Sequence, residues 1–124
     1  MHKILFGSLF FVVALTSTAL PAARTPLHEA AAGGSIKQLQ SLLTQNPAGV
    51  NAKDNNSWTP LHHATYWRRF KCVQELLNAG ADVYATNNEG KTAKDIAREE
   101  DYENIVALLQ SYEGLPDIKE PEVN

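Results

Sequence analysis

The sequence predicts an all-α fold, a solenoid of three stacked helix-turn-helix repeats with short protruding β-hairpin-like fingers. Three observations carry that prediction. The tetrapeptide Thr25-Pro26-Leu27-His28 recurs as Thr59-Pro60-Leu61-His62, 34 residues on, and a weaker copy, Thr92-Ala93-Lys94-Asp95-Ile96-Ala97, begins 33 residues later. Each copy leads a second similar stretch: Ile36 to Leu43, then Phe70 to Leu77, then Glu103 to Leu109. A period near 33 marks stacked supersecondary units, none able to bury its apolar face alone. The third observation is composition. Of the 124 residues and four Phe, Phe6, Phe10 and Phe11 fall in the first 11 positions. The remainder is built from Leu, Ala, Val and Ile, with Phe70 its single Phe.

The chain opens with a leader. Lys3 precedes an uncharged, mostly apolar run of twelve residues, Ile4 to Leu15, and then a small, polar stretch from Thr16 to Ala23. A basic start, a short apolar run and small residues at a cleavage site make an export signal. Ser17-Thr18-Ala19 fits the cleavage rule best, so 1–19 is read as a cleavable signal peptide and the mature chain as starting at Leu20. Twelve helical residues reach roughly 18 Å, short of a ~30 Å hydrocarbon core. Left uncleaved, the uncharged run from Ile4 to Ala23 would just span as an anchor. A short lead, 20–23, follows.

The local chemistry of each unit is consistent. Thr before Pro is an N-cap followed by a first helical residue: the Thr oxygen accepts an orphan N–H, and Pro lacks one. A helix of about eight residues follows. After a turn, Phe70, Val73, Leu76 and Leu77 recur on one face of a second helix. Gly80 ends that helix, placed to adopt the left-handed cap. Val83 to Gly90 reads as an extended stretch and tight turn. The units are 24–57, 58–90 and 91–112, the outer two acting as caps. The tail, 113–124, holds Gly114, Pro116, Pro121 and four acids against Lys119, and is expected to be a disordered acidic end.

These residues resemble the ankyrin repeat family. The two Thr-Pro-Leu-His motifs carry the resemblance, with Ala30, Ala31 and Ala64 in the first helices and Gly80-Ala81-Asp82-Val83 after the second. It covers about 24–111. It implies an L-shaped stack whose fingers and first helices form a concave surface, and a chain that binds another protein and does not catalyse. It also implies a structural role for Thr25, Pro26, Leu27, His28, Thr59, Pro60, Leu61 and His62, the histidines bonding within and between repeats. Three departures stand out. The first connection is one residue longer than the second. Gly34, Arg68 and Asp101 occupy the turn where the family usually has Gly. Lys94 and Asp95 replace Leu and His in the last copy, as suits a cap whose outer face meets water.

The family's alignment assigns a candidate binding face. Ala32, Tyr66 and Glu99 form one column, Gly33, Trp67 and Glu100 the next. Both are expected to face the groove, with Trp58 near the finger base. Trp, Tyr and Arg dominate binding hot spots because they bury large areas with few rotors. Trp58, Tyr66, Trp67, Arg68 and Arg69 are therefore candidate contacts, the alternative for the aromatics being gap-filling in a Phe-poor core. Asn55, Asn56 and Asn88 at the finger tips, and Glu99 and Glu100 in the third repeat, complete the set. A cross-repeat ion pair is expected between Arg68 and Asp101.

Other function classes are poorly supported. Beyond residue 19, ten bases face fourteen acids, a net −4, which argues against a binder of nucleic acid through a bulk basic field. One cysteine, Cys72, allows no internal disulfide, and its apolar neighbours predict burial. There is no phosphate loop, nucleophile motif or metal-ligand cluster, so no cofactor is expected. The partner is another protein, outside the cytoplasm, and the chain a monomer. Two further roles stay open: an inhibitor or immunity-type protein neutralising one enzyme or toxin, and a stress-protection factor for an exported redox or haem enzyme. The last has only His63 and Cys72 as candidate ligands.

Overall fold

The computed structural model describes residues 23–117. The leader, the start of the short lead and positions 118–124 lie outside them. Six α-helices follow in order: α1 Pro26–Gly33, α2 Ile36–Gln45, α3 Pro60–Tyr66, α4 Phe70–Asn78, α5 Ala93–Glu99 and α6 Glu103–Asp117, with a 3-10 turn at Pro47–Asn51. They stack as three helix pairs, α1 on α3 on α5 in one layer and α2 on α4 on α6 in the other. None is long and apolar enough to cross a membrane.

The motif is a capping box in which histidine replaces the usual Glu or Gln. Thr25 Oγ1 accepts the His28 N–H, and His28 Nδ1 accepts the Thr25 N–H at 3.0 Å. Thr59 and His62 repeat this, with Nδ1 3.1 Å from the Thr59 nitrogen. Two orphan donors at each helix start are thereby satisfied reciprocally. In the last copy Asp95 does the same work, accepting the Thr92 N–H at 2.9 Å.

The core forms where equivalent positions stack. Ala30, Ala64 and Ala97 are all but fully buried and let the first helices approach closely. Leu39, Val73 and Val106 make the corresponding column of the second layer, and Leu76 and Leu109 are wholly buried beside it. Val50 and Val83 pin the two finger bases. Leu76→Ala would cost about 2–5 kcal/mol by the usual cavity argument.

The three inter-helix turns share one backbone state. Gly34, Arg68 and Asp101 all adopt positive φ, at 77°, 56° and 61°. Packing thus enforces a left-handed turn even on Arg68, where a Cβ makes it unfavourable. The expected Arg68–Asp101 ion pair does not form. The Arg68 guanidinium lies over the Tyr102 ring instead, 5.0 Å from its centroid.

The fingers are turns with no strand among the described residues, each closed by a hairpin-like backbone bond, Asp54 N–H to Trp58 O and Asn87 N–H to Lys91 O, both 3.0 Å, and by a turn bond, Ser57 N–H to Asp54 O and Gly90 N–H to Asn87 O. The extra residue of the first connection falls in α2, ten residues against nine in α4, ahead of the 3-10 turn. Asn51 at its end accepts the Asp82 N–H at 2.8 Å and so ties the two finger bases together. The third unit extends past its expected boundary. Helix α6 runs to Asp117, and Glu113, expected in the loose tail, is ion-paired to Lys94 at 2.7 Å. Lys94 thus uses the polar position of the cap to hold the last helix.

Ser57 has φ 63° where the next finger places Gly90 at φ 75°. Ser57→Gly removes the left-handed penalty at the cost of some unfolded-state entropy. The expected result is a gain of about 0.5–1 kcal/mol, read from denaturant unfolding midpoints. An unchanged or lowered midpoint would contradict the strain argument.

Candidate functional site

The concave face follows from what the capping histidines do with their second nitrogen. Nδ1 is already an acceptor, so the neutral ring carries its proton on Nε2. His28 Nε2 then donates to the Trp58 carbonyl at 2.9 Å, and His62 Nε2 to the Lys91 carbonyl at 3.0 Å. Each acceptor is the residue just before the next motif. The bond crosses the repeat boundary and sets where that next helix begins. Asp95, with a shorter side chain, makes the cap bonds without such a second reach.

By holding the Trp58 backbone, His28 places the first wall of a cleft. Helix α3 supplies the others, because Tyr66 and Trp67 close its last turn. Trp58 and Tyr66 meet edge to face at 5.6 Å, and Tyr66 and Trp67 at 5.1 Å. Trp58 also stacks obliquely on His63 at 5.0 Å. Tyr66 is 40% exposed and Trp67 52%; with Tyr84, outside the cleft, they are the exposed large hydrophobic residues among those described. Trp58 is half-buried. The cleft is about 530 Å³ and is floored by Ala32 and Gly33 of α1.

Of the candidate residues, Trp58, Tyr66, Trp67, Arg69 and Asn56 line this cleft. Asn55 and Asn88 are exposed on the fingers, which are linked by an Asn88 N–H to Asn56 O bond of 3.0 Å. Arg68 is taken up by Tyr102. Glu99 is paired with Lys91 at 2.9 Å, and Glu100 caps α5; both are exposed but do not line the cleft. Gly80 has φ 95°, the left-handed cap its position requires.

Sequence reasoning missed a buried pair at the base of the cleft. Asp54 Oδ1 accepts the N–H groups of Asn56 and Trp58, which shapes the finger turn. Its Oδ2 remains free for His63 Nε2, at 2.8 Å. Asn87 repeats the turn-forming part, accepting from Glu89 and Lys91. Its second atom, Nδ2, is buried without a partner, because Ile96 stands where His63 would be. The 33-residue offset pairing Asp54 with Asn87 and His63 with Ile96 was the available signal, but each residue alone reads as turn or helix filler. Arg24 and Glu29, paired at 3.1 Å, were likewise missed on the cleft's rim.

Electrostatics keep the motif rings neutral. Burial pushes the pKa of His28 and of His62 below 6.5, and the bonds to the Trp58 and Lys91 carbonyls offset this only in part. For Asp54, burial alone would raise the pKa. The hydrogen bonds from His63 and from the Trp58 and Asn56 amides outweigh it, and the carboxyl lies below its usual 3.8. Burial raises the Cys72 thiol, which is 1% exposed on α4. With Cys72 enclosed and His63 Nε2 engaged by Asp54, neither is presented as an open ligand. No group of three or more His, Cys, Asp or Glu among the described residues could hold a metal ion.

A family model described as ankyrin repeats, in three copies, matches residues 4–87 and 27–120. Curated relatives agree over the repeats. Protein phosphatase 1 regulatory subunit 12A of Rattus norvegicus is 38% identical over 91 residues, 73% of this chain and 9% of that protein. The NAD-capped RNA hydrolase NUDT12 of Homo sapiens is 36% identical over 90 residues, 73% of this chain and 20% of that protein. The putative E3 ubiquitin-protein ligase XBAT34 of Arabidopsis thaliana is 34% identical over 91 residues, 72% of this chain and 24% of that protein. The chain therefore spans less than a quarter of the length of these relatives, and the likeness is one of repeats.

The depressed histidine pKa values fix a sign. Folding favours the neutral rings, so the unfolded chain binds more protons as pH falls through about 6.5, and stability drops there. Asp54 acts in a separate window: its contribution is present above 3.8 and lost as pH falls through its lower folded value. The thermal midpoint should be level above pH ~7.5 and fall by several degrees by pH ~5.5. His62→Gln should lower that plateau, through a loss of about 1–3 kcal/mol of stability, and flatten the fall. An unchanged slope in that variant would show that His62 is not the titrating group.

Proposed function

The chain belongs to the ankyrin repeat family, and from that premise we propose that it is a non-catalytic protein-binding module acting outside the cytoplasm through its concave groove. Ankyrin repeats are protein-binding modules, and the chain covers only 20% of the hydrolase and 24% of the ligase, so catalysis named for those proteins stays with them. The observation that carries the reading is the aromatic trio. Trp58, Tyr66 and Trp67 line one cleft, and Tyr66 and Trp67 leave about half of their surface exposed. Leaving that apolar area uncovered has no folding benefit, since buried rather than exposed rings stabilise. Covering it against a partner would. The leader, with its basic start and short apolar run, supports export, with the mature chain beginning at Leu20.

Tyr66→Ala with Trp67→Ala tests the assignment. Both side chains are exposed, so helical circular dichroism should stay as in the wild type while capture of a partner from the exported fraction is lost. Retained capture would remove these rings from the site. The captured wild-type protein should begin at Leu20 on N-terminal sequencing; a start at Met1 in membranes would point to an uncleaved anchor.

A further inference from the structure

The charges of the cleft are unevenly matched. Arg24 is paired with Glu29 at 3.1 Å and His63 with Asp54 at 2.8 Å. Arg69 has no carboxylate within ion-pair distance among the described residues. It is nonetheless held in place. Its Nε donates to the Ala32 carbonyl at 2.9 Å, which ties the second repeat's side chain across to the first. Gly34 makes room for it: a Cβ there would lie 2.9 Å from Arg69 Cδ and 3.1 Å from Nε. The guanidinium is thus fixed at the exposed rim by one N–H, with the terminal Nη groups left to donate. A planar fork so oriented is suited to a carboxylate, and side-chain entropy is already spent.

We propose that the cleft recognises an acidic peptide segment of its partner, a carboxylate bound by Arg69 beside an apolar side chain seated against Trp58, Tyr66 and Trp67. This rests on the groove being the binding site. A cationic anchor held by the aromatic faces fits the same walls less well, because both carboxylates of the cleft are committed. Asp54 is buried and accepts from Asn56, Trp58 and His63. Glu29 faces Arg24. Charge also limits the ligand. Beyond residue 19 the chain is net −4, with Glu100, Asp101 and Glu103 on the neighbouring repeat. A polyacidic tract would be repelled there, so the recognised segment carries one or two carboxylates next to its anchor.

A random peptide library panned on the full chain reads this directly, alongside Arg69→Gln and the Tyr66→Ala, Trp67→Ala double variant. The wild type should enrich peptides with Asp or Glu beside an aromatic or aliphatic residue. Arg69→Gln should keep the apolar preference and bind the acidic consensus peptide about tenfold weaker or more. A neutral or basic consensus, equal binding by Arg69→Gln, or no enrichment at all would overturn the acidic assignment. If enrichment persists in the double variant, the groove reading itself falls, and this proposal with it.

Discussion

The imidazole of each motif histidine bonds in two directions, and the arrangement of the repeats depends on it. Nδ1 faces its own repeat and accepts the N-cap N–H. Nε2 faces the next repeat and donates to the carbonyl just ahead of its motif. A single ring therefore closes one helix start and locates the next. Each cross-repeat bond is worth about 0.5–1.5 kcal/mol net, and the Trp58 and Lys91 carbonyls also each accept a finger N–H, from Asp54 and Asn87, so losing the ring removes one of two bonds to a part-buried acceptor. Each unit contacts only its neighbours, so these bonds add direction to a coupling that the buried Ala, Leu and Val columns supply. The ladder stops at Asp95, which keeps the cap and drops the reach.

The same bond builds the candidate site. The Trp58 carbonyl is the acceptor of His28, so the backbone of the cleft's first wall is fixed by the repeat before it. Asp54 fixes that wall from the other side through the Trp58 amide, and His63 Nε2 meets the leftover carboxylate oxygen. Arg69 reaches back to Ala32 across the same boundary. The cleft is thus a property of the junction between repeats one and two. It is preorganised by backbone bonds, which lowers the ordering cost of binding.

Much of this was legible in the sequence, and the rest was not for identifiable reasons. The tetrapeptide period gave the units, because N-capping and helix-face burial are local and repeat with the chain. The aromatic trio emerged from the columns for the same reason. The Asp54–His63 pair did not, since a finger and a helix meet there through tertiary packing and neither residue belongs to the motif. Arg68 defeated the column argument: equivalent positions lie side by side, yet a long side chain can choose a ring over a carboxylate. Glu113 reads as tail in the sequence because Gly114 and Pro116 follow it, whereas its ion pair with Lys94 holds it in the helix.

The central claim is that His28 and His62 are neutral, with the proton on Nε2, and clamp adjacent repeats. Long-range nitrogen–proton correlation spectra of the rings at neutral pH test it most directly. The account predicts that both rings show the Nε2–H tautomer, with those protons exchanging slowly with water. Rings that are charged at neutral pH, or protonated on Nδ1 instead, would contradict it.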